Sequence, residues 1–421
     1  MAKLLLALYN CLLVAFLIPI LLAIVLSGKK NRQDFFYCIK ERVSLGNIPK
    51  FDTNKKNVWI HCSSLGEAKA VEPMIPYLQD YNVIVTTITK SAREYVSNIK
   101  GITYFSLMPV DVYPFISKMI KQIRPDILIL IETEFWPSMI YCANSIGTKI
   151  VTINGRISKG AFVYYKITSL FWKTFLSLID YVSVRNQQDY DRFVKILNNE
   201  SKVGVTGNIK YDRDFTKEQI VREDLFYNKS DLILTAGSTR ENEEIILIDI
   251  FKELKNELKN LKLILAPRHI SRVKEINNIL KQKQLKTKLL TELNTENQED
   301  VLIIDTFGKL QSIYSISDIV FIGGSIVKSG GQNPIEPSAY SKPVVFGKYM
   351  FNFENEAKLL KDNGGAFEVS SKQELKEIIS KLLKSEALRI EVGAKALEIV
   401  KMQKGAIETN INIIRKYLLY K

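Results

Sequence analysis

Two series of short, unbroken apolar runs constrain this chain more than any other feature. Val58–Ser63, Asn82–Thr89, Asp126–Ile131, Lys149–Ile153 and Tyr181–Val184 make up the first series. Leu232–Ala236, Leu261–Ala266, Val301–Ile304, Ile319–Ile322 and Pro343–Phe346 make up the second. Runs of this length without polar alternation read as strands buried on both faces. Helical patterns fall between them, over Glu67–Leu78, Ala92–Asn98 and Tyr113–Ile123 in the first series and over Glu241–Leu258 and Val273–Lys283 in the second. Such alternation predicts a parallel sheet covered by helices, once in each half.

The stretch Tyr211–Ser230 is polar and charged and reads as a connection. The expected architecture is therefore α/β: two Rossmann-like domains with a cleft between them, over residues 29–212 and 231–421, joined by a linker at 213–230. A length of 421 residues is long for a single core and agrees with two domains. The charged segment Lys372–Lys421 reads as helical and is assigned to the second domain.

Ahead of the first series, Leu4–Leu26 is a 23-residue run without a charge, interrupted only by residues such as Asn10 and Pro19. About 20 apolar residues span a bilayer, so a transmembrane anchor at 4–26 is expected. Lys29, Lys30, Arg32, Lys40 and Arg42 follow it, against Lys3 and the amino terminus before it. That bias places the body of the protein on the cytoplasmic side of a cell inner membrane, as a single-pass protein. The net charge is +14. No basic stripe interleaved with aromatics stands out, so nucleic acid is not an expected partner; an anionic membrane surface or an anionic substrate is. Cys11, Cys38, Cys62 and Cys142 have no metal-like spacing and fit reduced thiols, and with only two histidines a zinc site is not expected.

Several clusters sit at the carboxyl ends of the strands, where doubly wound sheets bind ligands. In His61–Glu67, Gly66 permits a tight turn and Glu67 projects from the first helical turn, as a general base or simply as a residue complementing the helix dipole. In Ile131–Pro137, Glu132 and Glu134 follow an apolar strand; on an extended backbone both carboxylates face one side. Lys210, within Thr206–Asp212, could meet a phosphate or a developing negative charge, or be an ordinary solvated lysine. Ala236–Arg240, with Glu243, is a small-residue turn able to donate N–H groups to an anion, with Ser238 or Thr239 as a helix cap. Arg268 and His269 end a strand, Arg268 offering a planar fork to phosphate. Asp305–Leu310 opens a helix. Gly323–Pro337 follows the strand Asp318–Ile322 with four glycines, then Asn333 and Pro334 at a helix start and Glu336 placed to accept from sugar hydroxyls; it reads as a nucleotide-phosphate loop or as a plain connection.

Taken together and in this order, HCSSLGE, IETEFWP, TGNIKYD, AGSTRENEE, APRH, DTFGKL and GGSIVKSGGQNPIEP resemble the Kdo (3-deoxy-D-manno-octulosonic acid) transferases of lipopolysaccharide synthesis, over nearly the whole chain. The resemblance implies a GT-B glycosyltransferase fold, an amino-terminal domain for the lipid acceptor lipid IVA, and a carboxyl-terminal domain for the donor CMP-Kdo. It implies Glu67 as the catalytic base, with Glu132 and Lys210 supporting the transition state. It assigns CMP to Arg268 and His269, to Gly308, Lys309 and Leu310, and to Asn333, Pro334, Ile335 and Glu336, Glu336 bonding the ribose. No metal and no cofactor are implied. The chain departs from the family pattern at Gln332, where histidine is usual, and at Lys309, where an acidic residue is usual. Two other readings stay open: another two-domain nucleotide-sugar enzyme such as an epimerase, which would not need the apolar run, and a non-catalytic nucleotide-binding module, in which Glu67 would be dispensable.

Overall fold

The computed structural model describes residues 1–25, 41–42, 48–215, 219–293 and 299–419. Leu26, the basic residues Lys29, Lys30, Arg32 and Lys40, and Cys38 lie outside them, as do residues 216–218 of the expected linker. The chain divides into two compact units: residues 1–213 with 403–421, and residues 214–402.

The first unit holds a seven-stranded sheet, with β1 (Asn57–His61), β2 (Asn82–Thr87), β3 (Tyr104–Leu107), β4 (Ile127–Ile131), β5 (Lys149–Gly155), β6 (Tyr181–Val184) and β7 (Val203–Val205). Its order is β3-β2-β1-β4-β5-β6-β7, and every pairing is parallel. All five residues of β4 are buried, as the unbroken run Ile-Leu-Ile-Leu-Ile requires. Successive side chains serve opposite faces. Trp59 and Leu128 join one apolar layer, while Val58, Ile60, Ile127 and Ile129 join the other. The chain order reverses between β1 and β4, which makes their carboxyl ends the switch point where such sheets leave a crevice.

The second unit repeats the plan with β8 (Leu232–Thr239), β9 (Leu261–Pro267), β10 (Thr287–Leu289), β11 (Val301–Ile303), β12 (Ile319–Ile322), β13 (Val344–Gly347) and β14 (Ala366–Val369). The order is β10-β11-β9-β8-β12-β13-β14, again all parallel. Here the direction of winding changes between β8 and β12.

Two expectations need correcting. The last helix, Ala406–Leu419, belongs to the first unit and not to the second. Its Ile407, Ile411, Ile414 and Leu418 recur at helical spacing and pack with Ile60, Val85 and Ile129. Burial of such side chains contributes about 1.5–3 kcal/mol each. Asp212 fastens the start of this helix, accepting from the N–H groups of Gly405 at 2.6 Å and Ile407 at 2.5 Å. The division also falls at residue 213, so most of the expected linker is part of the second unit.

The second correction concerns the bilayer-spanning helix. Residues Ala2–Val25 are helical, but among the described residues no helix is long and apolar enough to cross a membrane. The polar positions in the run are engaged by protein. Tyr9 donates to Asp111 at 3.0 Å, and Asn10 donates to Ser138 Oγ at 3.2 Å and accepts from the Tyr113 N–H at 2.6 Å. Leu6 is buried and Tyr9 packs on Phe171 with ring centroids 6.0 Å apart. Asp111 is itself a cap supplied from a distance. It accepts from the N–H groups of Ser138 at 3.0 Å and Met139 at 2.9 Å, in the first turn of the helix Pro137–Ser145, whose N-cap Trp136 offers no side-chain bond.

The docking of the last helix is testable. Ile411→Ala should lower the unfolding free energy of the first unit by about 2–5 kcal/mol. Urea unfolding followed by tryptophan fluorescence reads this unit alone, because Trp59, Trp136 and Trp172 are the three tryptophans of the chain. A change below about 0.5 kcal/mol, the size of an ordinary surface substitution, would take the helix out of this core.

Candidate functional site

β1 and β4 are hydrogen-bonded neighbours, so the turns that leave them emerge side by side. After β1 the chain turns through Cys62–Ser64 into the helix Leu65–Val71, and Glu67 lies in its first turn as expected. Ser64 is the N-cap and accepts from the Glu67 N–H at 3.3 Å. The Glu67 carboxylate folds back to accept from the Ser63 N–H at 2.7 Å, the Ser64 hydroxyl at 2.8 Å and the Ser63 hydroxyl at 3.2 Å. The capping role and an oriented carboxylate are thus the same arrangement. The side chain is buried, the residue retaining 7% exposure. Burial raises the affinity of this carboxyl for its proton, and the charge of Glu132 raises it further; donation from Ser63 opposes both, Glu134 adds to the rise and Ser64 opposes it.

After β4 the two glutamates part company. Glu132 has φ +57°, a left-handed conformation that costs a non-glycine residue about 1–3 kcal/mol when imposed by its surroundings. The extended backbone that would align Glu132 with Glu134 is therefore absent. Glu132 is buried and ion-paired, its Oε1 2.6 Å from Lys210 Nζ and its Oε2 3.2 Å from Arg156 Nε. Burial works against its ionisation, but Lys210 and then Arg156 outweigh burial and hold the carboxyl below its ordinary range. Lys210 is accordingly no solvated lysine; it and Glu132 form one charged unit.

Glu134 meets other partners. It accepts from Trp136 Nε1 at 3.0 Å and lies 3.8 Å from His61 Nε2. Burial disfavours its charge, and the nearby His61, Ser63 and Trp136 together more than offset this, lowering its proton affinity. His61 is fully buried, and its Nδ1 is 2.9 Å from Thr86 Oγ1; that hydroxyl oxygen accepts from Trp59 Nε1 at 2.9 Å. The sulfur of Cys62 is inert by comparison, since burial pushes its thiol well up.

Sequence reasoning missed Arg156 and Asn154. Asn154 is wholly buried with φ +61° and accepts from the Ile209 N–H at 3.2 Å, which fixes the turn Ile209–Tyr211 that presents Lys210. Both follow the last apolar residues of β5 in the run Thr-Ile-Asn-Gly-Arg; the signal was a polar residue in a strand with no solvent-facing side.

In the second unit, the turns after β8, β9, β11 and β12 carry the remaining candidates, and these strands are consecutive neighbours. Arg268 follows β9 with an exposed side chain, and its N–H donates to the Thr239 carbonyl at 3.0 Å. His269 Nε2 is 2.8 Å from Arg240 Nη1, within reach of a bond that the guanidinium donates. Gly308 has φ +84° and Lys309 caps the helix Leu310–Ile316, beside Phe307, which is 80% exposed.

The glycine-rich turn differs most from expectation. The helix that ends it is short, Ile335–Ala339, with Pro334 as its N-cap rather than its first residue. Asn333 Oδ1 already accepts from the Ile335 N–H at 3.1 Å, and Asn333 Nδ2 reaches Glu336 Oε1 at 3.4 Å. Proline at 334 and 337 removes two further donors. Earlier in the turn, the N–H groups of Gly324, Ser325 and Ile326 go to Glu243. Burial raises the proton affinity of that carboxyl, and bonds from Gly324, Arg240 and Ile326 pull it back. Neither Ser238 nor Thr239 caps the following helix; Asn242 stands at its N-cap, and Thr239 Oγ1 donates to Glu244 at 2.9 Å. Gly331, at φ +72°, has no room for a side chain: a Cβ there would lie 2.2 Å from Met350 Sδ. Among the described residues, no group of three or more His, Cys, Asp or Glu side chains is arranged to hold a metal ion.

Comparison with known proteins gives a consistent picture. A family model described as 3-Deoxy-D-manno-octulosonic-acid transferase (kdotransferase) matches residues 38–213, and one described as Glycosyl transferases group 1 matches residues 216–398. The chain is 32% identical to the 3-deoxy-D-manno-octulosonic acid transferase of Haemophilus influenzae over 86% of its own length and 87% of that protein's. It is also 32% identical to a bifunctional glycosyltransferase/methyltransferase of Fusobacterium nucleatum, over 77% of this chain, and spans about half of that longer protein, 52%. The solved structure of UDP-GlcNAc 2-epimerase from Neisseria meningitidis, bound to UDP-GlcNAc, matches with a TM-score of 0.60 at 14% identity, covering 86% of this chain and 100% of that one. That likeness concerns fold, and the paired parallel sheets are those of the GT-B architecture. The sequence relationship decides the family: the chain belongs to the 3-deoxy-D-manno-octulosonic acid transferases and is a glycosyltransferase.

Proposed function

We propose that the protein transfers Kdo from CMP-Kdo to a glucosamine hydroxyl of lipid IVA, without a metal ion and with Glu67 as general base. The observation that carries this reading is the Glu67 carboxylate, buried at the switch point of the first sheet, oriented by Ser63 and Ser64 and made more basic by its surroundings. A carboxylate with raised proton affinity is better matched to removing a hydroxyl proton near neutral pH. In the step, Glu67 takes the acceptor proton and the hydroxyl oxygen forms a bond to the anomeric carbon of Kdo. The bond from that carbon to the phosphate oxygen breaks, and CMP leaves with the electron pair. Lys210 and Arg156, held by Glu132, supply fixed positive charge for the anionic groups of the reactants.

The second unit takes the CMP in this reading, and the names of its relatives support a Kdo donor. Arg268 and His269 would meet the phosphate. The Gly308, Lys309 and Leu310 turn would meet the base, and Asn333, Pro334, Ile335 and Glu336 the ribose, with the Glu336 carboxylate accepting from its hydroxyls. Gln332 keeps a donor where the family has histidine, and loses only the charge.

The anionic lipid acceptor also suggests where the protein works: against an anionic inner-membrane surface on its cytoplasmic side. Leu4, Leu8, Leu12 and Phe16 of the amino-terminal helix are exposed, as are Val163, Tyr164, Ile167 and Leu170 on the helices Lys159–Ile167 and Ser169–Leu176. Lys159, Lys166 and Lys173 lie in the same two helices. Apolar side chains among lysines suit a headgroup layer better than water.

Three experiments test this. Transfer from CMP-Kdo to lipid IVA in detergent should be clear for the full chain and about 10²–10⁴-fold slower for Glu67→Ala. No product from the wild type would end the proposal, and full activity in the variant would remove Glu67 from its role. In the same assay kcat/KM should rise with pH as Glu67 ionises, with its midpoint above the ordinary glutamate range. Glu134→Gln, which removes a negative neighbour, should move that midpoint to lower pH; an unmoved midpoint would contradict the electrostatic account. Separately, Glu336→Gln should weaken CMP binding by about tenfold, one charge-assisted bond, while leaving inorganic phosphate binding unchanged. Finally, the protein should co-sediment with phosphatidylglycerol vesicles but not with phosphatidylcholine vesicles, and Ile167→Glu with Leu170→Glu should release it; equal sedimentation of the double variant would place the contact elsewhere.

A further inference from the structure

Glu243 is fully buried, and backbone N–H groups meet its carboxylate. Its Oε2 accepts from the Gly324 N–H at 2.6 Å and the Arg240 N–H at 2.9 Å, and its Oε1 accepts from the Ser325 and Ile326 N–H groups, each at 3.0 Å. Four backbone donors converging on one anion make the kind of nest that elsewhere cradles a phosphate. Every donor here is an amide N–H, and both oxygens are used as acceptors, which is the bonding of a carboxylate and not of a carboxylic acid. In this turn the chain fills its own anion nest.

The turn is clamped by both neighbouring strands of β12. A Cβ on Gly323 would lie 2.3 Å from the Ser238 carbonyl, and one on Gly347 would lie 2.4 Å from that of Ser325. Ser325 Oγ accepts from the Gly347 N–H at 2.8 Å. The clamp continues toward the ribose-reading residues in two bonds. Glu243 holds the Gly324 N–H, and the Gly324 carbonyl accepts from the Gly331 N–H at 2.8 Å. Asn333 and Glu336 follow directly.

We propose that Glu243 is a positioning residue of the donor half of the site: a resident carboxylate that occupies the nest of Gly324–Ile326, keeps ligand phosphate out of it, and sets Gly331–Glu336 in place for the nucleotide. This rests on the reading of the second unit as the CMP-binding unit. It divides the glycine-rich stretch into two parts. Gly323–Val327 is an internal anion site already satisfied, and the part beyond Gly330 faces the ligand. The donor phosphate is then left to side chains, Arg268 and the Arg240–His269 pair.

The test uses the full chain and CMP. Glu243→Ala should raise the CMP dissociation constant and the donor KM by about tenfold or more, with kcat at saturating donor little changed. Acetate should restore much of the CMP affinity of this variant by refilling the nest, and acetamide, of similar size but neutral, should not. A residue that merely fills space would respond to both or to neither. Should the variant fail to fold, hydrogen exchange on the wild type decides: the Gly324–Ile326 amides should be protected without CMP and unchanged by it, while the Gly331–Glu336 segment slows. CMP affinity unaltered in a folded Glu243→Ala, or exchange at Gly324–Ile326 that responds to CMP, would overturn the proposal. A wild type that does not bind CMP at all would instead defeat the reading of this unit as the donor domain.

Discussion

A carboxylate withdrawn from water must be matched, and the way Glu132 is matched organises the first unit's site. Its backbone is held left-handed at the end of β4, which turns the side chain away from Glu134 and onto Lys210 and Arg156. Those two cations come from different parts of the chain, after β7 and after β5, so the pair ties three turns together. Truncating one member of a buried ion pair leaves an unpaired charge, a defect that costs about 3–5 kcal/mol. The same pair leaves the charge on Glu132 in place beside Glu67, whose own carboxyl it makes more basic. Local strain, ion pairing and base strength are here one piece of physics.

The second unit solves the equivalent problem differently. Where winding reverses between β8 and β12 it too buries a glutamate, but here backbone N–H groups meet the carboxylate of Glu243. Cations there stay available: the Arg268 side chain is exposed, and Arg240 Nη1 meets His269 Nε2 and not a carboxylate. The contrast suits the two tasks. One unit needs a carboxylate kept basic near a hydroxyl, and the other needs positive charge left over for a phosphate.

Much of the fold was legible because central strands in parallel sheets are buried on both faces and so read as pure apolar runs. The strands that escaped notice are β3, β7, β10 and β14, and these are the four edges of the two sheets. With one side unpaired they are only part-buried; β10 has no buried residue at all. Glu67 was placeable because Gly66 and the serines mark a helix start. The partners of Glu132 were not, because a pairing between residues 132, 156 and 210 leaves no trace in local pattern. The glycine-rich turn misled for a related reason: its donors are visible in sequence, but the internal carboxylate that uses them sits about eighty residues earlier. The apolar run at the amino terminus has the length of a membrane span, but the bonds of Tyr9 and Asn10 and the burial of Leu6 dock its helix on protein.

The return of the chain to the first unit has a consequence for synthesis. The second unit is, in topology, an insertion between residues 213 and 403 of the first. One apolar face of the first sheet, including Ile60, Val85 and Ile129, is covered by the helix Ala406–Leu419, which is encoded after the whole of the second unit. A nascent chain can therefore assemble its second unit while the first is still missing a wall. Until that helix is made, that face is open to chaperones and to other chains. Completion of the first unit therefore waits on synthesis of the second, and a product ending before residue 406 would lack this wall.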